Sequence, residues 1–387
     1  MVRQDVPGPP RLGPMAGDPS CRSAFLPAPM VQNHAANLHE MANGDLACVW
    51  FAGTQEGIAD IGIWMARLPA GKDRWGEPVR LSDDRERSEQ NPILFTAPDG
   101  RLWLLHTAQK AGNQETALVR CRISPDGGSN WSAPRQLFDE PGIFVRQPPV
   151  VADDGAWLLP VFRCRRTGKQ PWTGGDDTSS VMVSTDEGRS WREHPVPESR
   201  GCVHMNIVRL ADGGMLALYR SRFADFVHAS RSDGLGRDWT PPEPTALPNN
   251  NASIQATALS DGTLALVYNH ADRTAARERR LSLYDDIAPA GVEPEAGPAA
   301  DAAFWGAPRA PLTLTLSEDG GRTWPLRRDI ETGDGYCMTN NSKDGLNREL
   351  SYPSIIQSRD GRLQIAYTWW RRAIRHVSLD PNRVASP

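Results

Sequence analysis

The sequence predicts an all-β protein, a six-bladed β-propeller with Asp-box hairpins, from two repeats that interleave along the chain and from a polar position that recurs between them. The first repeat is a turn followed by an apolar strand. It reads NGDLACVWF from position 43, DGRLWLLHT from 99, DGAWLLPVF from 154, DGGMLALYR from 212, DGTLALVYN from 261 and DGRLQIAYT from 360. Asn-Gly or Asp-Gly ahead of alternating apolar residues is the chemistry of a tight hairpin, because glycine accepts the positive φ such a turn requires. The turn glycines at 44, 100, 155, 213, 262 and 361 are spaced by 56, 55, 58, 49 and 99 residues. Repeats of that period, each holding several strands, bury their faces against one another and stack into a ring.

The long last gap holds an extra segment, roughly 271–303, that includes RERR (277–280) and AGVEPEAGPAADAA. Its charge, Ala and Pro predict a solvated insertion. The domain plan is then a flexible N-terminal arm over 1–22, one propeller over 23–380, and a tail over 381–387.

The second repeat reads SPDGGSNW (124–131), STDEGRSW (184–191) and SEDGGRTW (317–324), with SRSDGLGRDW (230–239) a looser copy and LPAGKDRW (68–75) a degenerate one. This is the Asp-box pattern, S-x-D-x-G-x-T-W. The Asp and Ser/Thr side chains bond turn amides, glycine permits positive φ, and tryptophan packs into the blade. These boxes are expected to clip hairpins together; they identify architecture.

Composition agrees with many short strands. In 387 residues there are 34 Gly, 33 Pro and 13 Trp, a turn-rich chain without long apolar runs. A net charge of −4 argues against a nucleic-acid partner, and no run of about 18 apolar residues calls for a membrane span. The six cysteines (21, 48, 121, 164, 202, 337) are scattered without a CxxC pair, so neither a disulfide framework nor a zinc site is expected. The first residues, MVRQDVPGPPRLGPMAGDPS, lack an apolar core for a secretory signal, which predicts a reduced, cytoplasmic setting. No metal or other cofactor is called for, since the histidines lack a compact ligand spacing.

In a propeller the first strand of each blade lines the central tunnel, so the strand starts converge on one mouth. Nine or ten residues upstream of each turn glycine stand His34, Gln90-Asn91, Arg146-Gln147, His204, Asn251-Ala252-Ser253 and Tyr352. All six blades place a polar or ionisable residue there and then turn apolar. Two histidines, an arginine and a tyrosine in one ring point to chemistry; a water-filled tunnel with a polar lining is the plainer reading. The amide-rich segments NNNASIQ (249–255) and GYCMTNNSKDGLNRE (335–349) are expected to form loops over this mouth.

With these repeats and this ring, residues 31–380 resemble the sialidase superfamily, in particular the sialidase-like BNR/Asp-box proteins. The resemblance implies three arginines clamping a substrate carboxylate, a tyrosine nucleophile, a glutamate activating it and an acidic acid/base residue on a loop. Tyr352, in ELSYPSIIQSRDGRLQIAY, matches the nucleophile. Arg309, in PRAPLTLTLSEDGGRTWP, and Arg220, in MLALYRSR, match two clamp arginines. The third clamp arginine corresponds to His34 and the activating glutamate to His204, with Arg146 placed to restore a third contact. The acid/base loop falls in FAGTQEGIADIG, where Glu56 is the first candidate and Asp60 the second. Gln147, Asn91 and Asn251 complete the expected binding set, and Arg348 with Glu349 is expected to support the tyrosine.

Three functions follow. The first is a sialidase-like glycoside hydrolase on an acidic oligosaccharide, with Tyr352 attacking the anomeric carbon, His204 assisting and Glu56 as acid/base. The second is a uronate lyase, in which arginine neutralises the carboxylate while histidine and tyrosine share base and acid roles. The third is a propeller that binds glycans or a protein without catalysis. The sugar, its linkage and the oligomeric state are not written in the sequence.

Overall fold

The computed structural model describes residues 8–165, 172–280, 283–284, 286–287 and 302–384. Six small antiparallel sheets follow one another and form a six-bladed propeller. Blade 1 holds Gln32–Glu40, Leu46–Gly53, Gly62–Leu68 and Val79–Arg80; blade 2 holds Ser88–Thr96, Leu102–Lys110, Asn113–Ser124 and Arg135–Gln136. The innermost strand of blade 3 is broken into Ile143–Val145 and Val150–Val151, followed by Trp157–Arg163, Thr178–Ser184 and Arg192–Pro195. Blade 4 runs from Cys202–Arg209 through Met215–Ser221 and Phe226–Ser232 to Glu243–Pro248. Blade 5 takes Gln255–Ala258, Leu264–Asn269, Leu312–Ser317 and Leu326–Glu331.

Blade 6 is assembled from both ends of the chain. Leu350–Gln357, Leu363–Trp369 and Ala373–Leu379 are joined by Asp18–Phe25 and then Gly13–Met15. Residues 13–25 are therefore sheet, which corrects the expectation of a flexible arm over 1–22. Pairing of Arg22 with Ser378 and Ala24 with His376 closes the ring. Leu12, Ala24 and Leu26 enter the core between blades 6 and 1 beside Trp50, Trp64 and Trp75. A polar segment such as DPSCRSAF lacks the alternation that announces a strand; its partner lies at the other end of the chain.

At one end of each blade the first two strands are joined by the repeated turn. The six turn glycines all have φ between 82° and 89°. The loop is three residues long: Met41 N donates to Asp45 O (2.8 Å) and Gly44 N to Met41 O (2.9 Å), with the glycine in the left-handed place. The S-x-D-x-G segments sit between third and fourth strands. Ser124 Oγ donates to Asp126 Oδ1 (2.8 Å), which also accepts from the amides of Ser129 and Asn130, while Gly128 N donates to Ser124 Oγ (2.6 Å). The same bonds recur around Asp186 and Asp319.

Between blades, apolar faces pack with aromatic pairs. Trp103 of blade 2 meets Trp157 of blade 3 edge to face at 5.3 Å, a geometry that adds about 0.5–1.5 kcal/mol to area burial. The innermost strands are sheet edges, and side chains satisfy them. Asn37 accepts from Leu94 N (3.0 Å), Thr107 from Val145 N (3.2 Å), Asn206 from Ala256 N (2.5 Å), Gln255 from Ile355 N (2.6 Å) and Ser354 from Leu38 N (2.9 Å). Each joins one blade to the next around the tunnel.

The described ends of the insertion do not behave as a solvated segment. Arg280 is buried and donates to Leu283 O (3.0 Å) and Asp286 (3.2 Å). Tyr284 is buried, with its hydroxyl accepting from Gln109 (2.8 Å) and Gln114 (3.1 Å) of blade 2. Phe304 exchanges bonds with Asn251 and with the backbone of Arg222. Arg277 and Glu278 of RERR do face solvent as expected; it is Arg280 that is buried, by partners six or fewer residues away in the insertion and by Asn340. Residues 288–301, which carry most of the Ala/Pro run, lie outside the described residues.

Candidate active site

The mouth opposite the repeated turns is built on a distortion that recurs around the ring. Ala35, Asn91, His204, Asn251 and Tyr352 all have φ between 51° and 60°. Register shifts interrupt the inner strands between His34 and Asn37, Gln90 and Ile93, Val203 and Asn206, and Ser351 and Ser354. Left-handed backbone at a non-glycine residue costs of order 1–3 kcal/mol and persists where surrounding structure holds it. A bulge re-aims the side chain that carries it. The innermost strand of blade 3 breaks at Arg146–Pro149 instead.

Tyr352 stands at the centre. Arg220 donates from NH1 to its hydroxyl at 2.6 Å. Arg146, Arg220 and Arg309 lie with their Cζ atoms 5.5, 5.6 and 5.6 Å from its ring centroid. His34 packs against the ring at 4.3 Å and His204 edge-on at 5.7 Å. His204 Nε2 is 3.5 Å from the same Arg220 nitrogen that holds the phenol. The structure thus brings Tyr352, Arg220, Arg309, His34 and His204, drawn from blades 1, 4 and 6 and the approach to blade 5's third strand, to one place. Asn251 orients Arg220 through its Oδ1 (2.7 Å). Asn91 occupies the blade 2 bulge of the same rim.

The charges are distributed unevenly. Glu349 is fully buried and bonds Arg309 NH1 at 3.0 Å; Arg371 Nε lies 2.9 Å away as an ion pair, not an aligned hydrogen bond. Burial alone would raise the Glu349 carboxyl, but Arg371 and Arg309 outweigh it and hold it below the usual carboxylate range. Arg222 is matched by Asp177, whose single oxygen Oδ2 accepts from both Nε and NH2 at 3.0 and 2.7 Å. Among the described residues Arg220 has no carboxylate partner; its bonds go to Tyr352, His204 and Asn251. Burial lowers its pKa to about 10, which leaves it cationic at neutral pH.

Burial first, and the surrounding guanidiniums second, hold His34 and His204 well below the ordinary histidine range. Both are neutral imidazoles at pH 7. His34 Nε2 and His204 Nδ1 are buried without a hydrogen-bond partner, and His34 Nδ1 is engaged with Thr368 at 2.8 Å.

Several expected roles change. Arg146 does not act as a third clamp: it donates to Ala36 O, Tyr352 O, Pro353 O and Ser253 Oγ, pinning the tunnel wall beneath the tyrosine. Gln147 donates to Ile254 O and accepts from Gln255, so its amide is consumed by the tunnel lining. Arg348 is half-buried and paired with Asp334 instead of the tyrosine that it was expected to support. Of the two loop carboxylates, Glu56 is buried in an ion pair with Arg371 NH1 (2.5 Å), while Asp60 accepts from Thr54 N within its own loop. Short side-chain separation in sequence did not reveal which groups find partners across the ring.

Arg371 escaped the sequence reasoning, as did Asp177 and Arg222. A usable signal existed. Arg220 lies near the end of the second strand of its blade, and Arg222 and Arg371 occupy the same end just beyond their strands. Second strands run toward the mouth, so arginines at their ends reach the rim.

A closed ring of six blades with an arginine-rich mouth around one tyrosine is a sialidase-like β-propeller. The chain belongs to the BNR repeat-like domain family, which matches residues 44–365. Among solved structures it is similar to the Hadza microbial sialidase Hz136, at 15% identity and a TM-score of 0.64, over 91% of this chain and 66% of that one. The intramolecular trans-sialidase of Ruminococcus gnavus is 11% identical with a TM-score of 0.65, over 92% of this chain and 96% of that one. A Dyadobacter fermentans protein of unknown function is 15% identical with a TM-score of 0.67, over 94% and 99%. These identities establish a shared fold. Among curated proteins, the photosystem II assembly lipoprotein Ycf48 of Prochlorococcus marinus (strain NATL2A) is 26% identical over 153 residues, 40% of this chain and 36% of that protein.

Proposed function

We propose that the mouth acts on the glycosidic bond of a carboxylate-bearing sugar, as a sialidase-like glycoside hydrolase with Tyr352 as nucleophile. The observation that carries this reading is the 2.6 Å bond from Arg220 to the Tyr352 hydroxyl, from a buried guanidinium with no carboxylate partner among the described residues. Arg220 and Arg309 flank the tyrosine and supply bidentate donors for a substrate carboxylate. His204, neutral and beside the Arg220–Tyr352 pair, takes the phenol proton as the oxygen attacks the anomeric carbon and passes it to the departing glycosidic oxygen; water then displaces the tyrosine, which regains its proton. Asn251 and Arg146 hold the arginine and the tyrosine backbone in place.

One observation favours elimination as the second reading. Glu56 is buried against Arg371, so the loop carboxyl expected to protonate the leaving group is already engaged by a guanidinium. An elimination at a uronic acid uses the groups that remain: arginines to neutralise the carboxylate, a neutral histidine to take the α-proton, and a tyrosine to protonate the leaving oxygen. Product mass separates the two. Purified protein is incubated with a panel of sialosides and uronic-acid oligosaccharides. Products heavier by one water support hydrolysis, and unsaturated products without it support elimination. Binding with no product from any panel member overturns both.

A further inference from the structure

Of the three guanidiniums packed around the Tyr352 ring, Arg309 has Glu349 as counter-charge and Arg220 bonds the phenol, whereas Arg146 finds only neutral acceptors. Arg146 starts from the break in the inner strand of blade 3 and reaches across the tunnel to the opposite blade. Its NH2 donates to Tyr352 O (3.2 Å) and Pro353 O (3.1 Å) of blade 6 and to Ala36 O (3.1 Å) of blade 1. Its Nε donates to Ser253 Oγ (3.1 Å) just ahead of blade 5, and NH1 is buried without a protein acceptor. A second polar chain spans the same tunnel. Gln147 donates to Ile254 O (2.7 Å), Gln255 donates to Gln147 (2.7 Å), and Ile355 N donates to Gln255 (2.6 Å). Arg146, Gln147 and Gln255 are all buried.

A neutral donor would brace this wall as well. The acceptors are three carbonyls and a hydroxyl, groups that a glutamine amide satisfies without charge. Burying a guanidinium among them carries a desolvation penalty, and among the described residues no carboxylate pairs with Arg146 to offset it. Burial lowers its pKa to about 10, which leaves it cationic at neutral pH. Of the titratable groups around it, Tyr352 does most to favour that charge, followed by Cys48. Burial pushes the Cys48 thiol up, so the thiol is neutral at that pH. The counter-charge that remains is an ionised Tyr352 oxygen, on a ring whose centroid is 5.5 Å from the Arg146 Cζ. Away from bulk water such a charge is weakly screened.

We propose that Arg146 is a positioning residue for the nucleophile, one whose charge stabilises the negative Tyr352 oxygen as the tyrosine is displaced from the sugar. This rests on the hydrolase reading above. In that step the bond between Tyr352 Oη and the anomeric carbon breaks, leaving its electron pair on Oη. The oxygen of water bonds to the carbon, and the proton that water releases passes through His204 to the phenolate. Negative charge on Oη is absent from the resting phenol and from the glycosyl-enzyme. A fixed cation beneath the ring therefore favours the transition state over either ground state. Its donors serve the tunnel wall and not the sugar, so its loss should appear in kcat and leave KM in place.

The test is steady-state hydrolysis of nitrophenyl α-sialoside and nitrophenyl galacturonide by wild-type protein, Arg146→Gln and Arg146→Lys, with the thermal midpoint of each. Arg146→Gln keeps amide donors for the carbonyls and removes the charge; Arg146→Lys keeps the charge and loses the planar fork. On whichever glycoside wild-type protein cleaves, kcat should fall about thirtyfold in Arg146→Gln with KM within about twofold, a smaller loss than for a donor that touches the developing charge. Arg146→Lys should hold kcat within about fivefold, although its midpoint falls at least as far as that of Arg146→Gln. Unchanged kcat in Arg146→Gln, equal losses in the two variants, or loss of the fold in both would reduce Arg146 to a brace. Each of these overturns the proposal and leaves the hydrolase reading standing. Release of nitrophenol from neither glycoside by wild-type protein overturns that reading, and the proposal with it.

Discussion

The two ends of this propeller are built by different rules. At the turn end, each blade repeats one local solution: a glycine with φ near 85° closes the inner hairpin, and at the outer hairpins a serine and an aspartate gather amides within four residues of one another. At the mouth the side chains vary from blade to blade, with only histidine (His34, His204) and asparagine (Asn91, Asn251) recurring, and the partners come from far away. Arg371 and Glu56 are 315 residues apart, and Arg220 and Tyr352 are 132 apart. Both ends use positive φ. At the turns glycine adopts it without penalty, whereas at the mouth Ala35, Asn91, His204, Asn251 and Tyr352 adopt it under strain. The repeated end holds the blades together, and the varied end concentrates strained backbone and buried charge around Tyr352.

That contrast breaks first at Tyr352. Tyr352→Phe keeps the ring and its packing but removes the oxygen that Arg220 holds, so kcat should fall by about a thousandfold or more on any glycoside the wild type turns over. The thermal midpoint should stay within a few degrees. Loss of midpoint together with activity would place Tyr352 among the structural residues instead. Arg220→Met should lower kcat/KM about a hundredfold for acidic substrates, and an equal loss on an uncharged glycoside would argue against a carboxylate contact.

Glu349→Gln probes the compensated side of the mouth. It leaves Arg309 and Arg371 buried with less counter-charge, and should cost about 3 kcal/mol in denaturant unfolding. A change below about 1 kcal/mol would mean that the arginines repair the loss through other partners.

The buried histidines predict a pH effect on stability. Their folded pKa is depressed below the usual 6.5, so below that pH the unfolded chain takes up protons that the fold does not. Stability should therefore fall as pH drops from 6.5 toward 5, by up to about 1.4 kcal/mol per unit for each histidine. His204→Asn, a residue that tolerates positive φ, should flatten that slope by one histidine's share. An unchanged slope would assign it to other groups.

The smallest effect is expected at the repeated end. The Asn130 side chain, then the turn amides and Ser124, hold Asp126 down to about 2 from the usual 3.8. A depressed carboxylate stabilises above its unfolded pKa, and that contribution is lost as pH falls from about 4 toward 2. Asp126→Ala should lower the thermal midpoint slightly at pH 7 and leave kcat unchanged; a changed kcat would mean that the two ends are coupled.

Residue patterns alone pointed to the blade count, the hairpin turns and a ring of strand starts holding His34, His204 and Tyr352, while Arg220 and Arg309 entered through the resemblance to the sialidase superfamily. Each turn bond links residues no more than four apart, so turn chemistry is written contiguously, and the strand starts inherit their place from the spacing of those turns. Which arginines are neutralised, why Arg146 serves the tunnel wall, where Glu56 finds Arg371, and how the N-terminal strands close blade 6 were decided only in three dimensions. Those contacts join side chains separated by tens to hundreds of residues, and a charge has no fixed role until the ring has closed and set its counter-charge beside it.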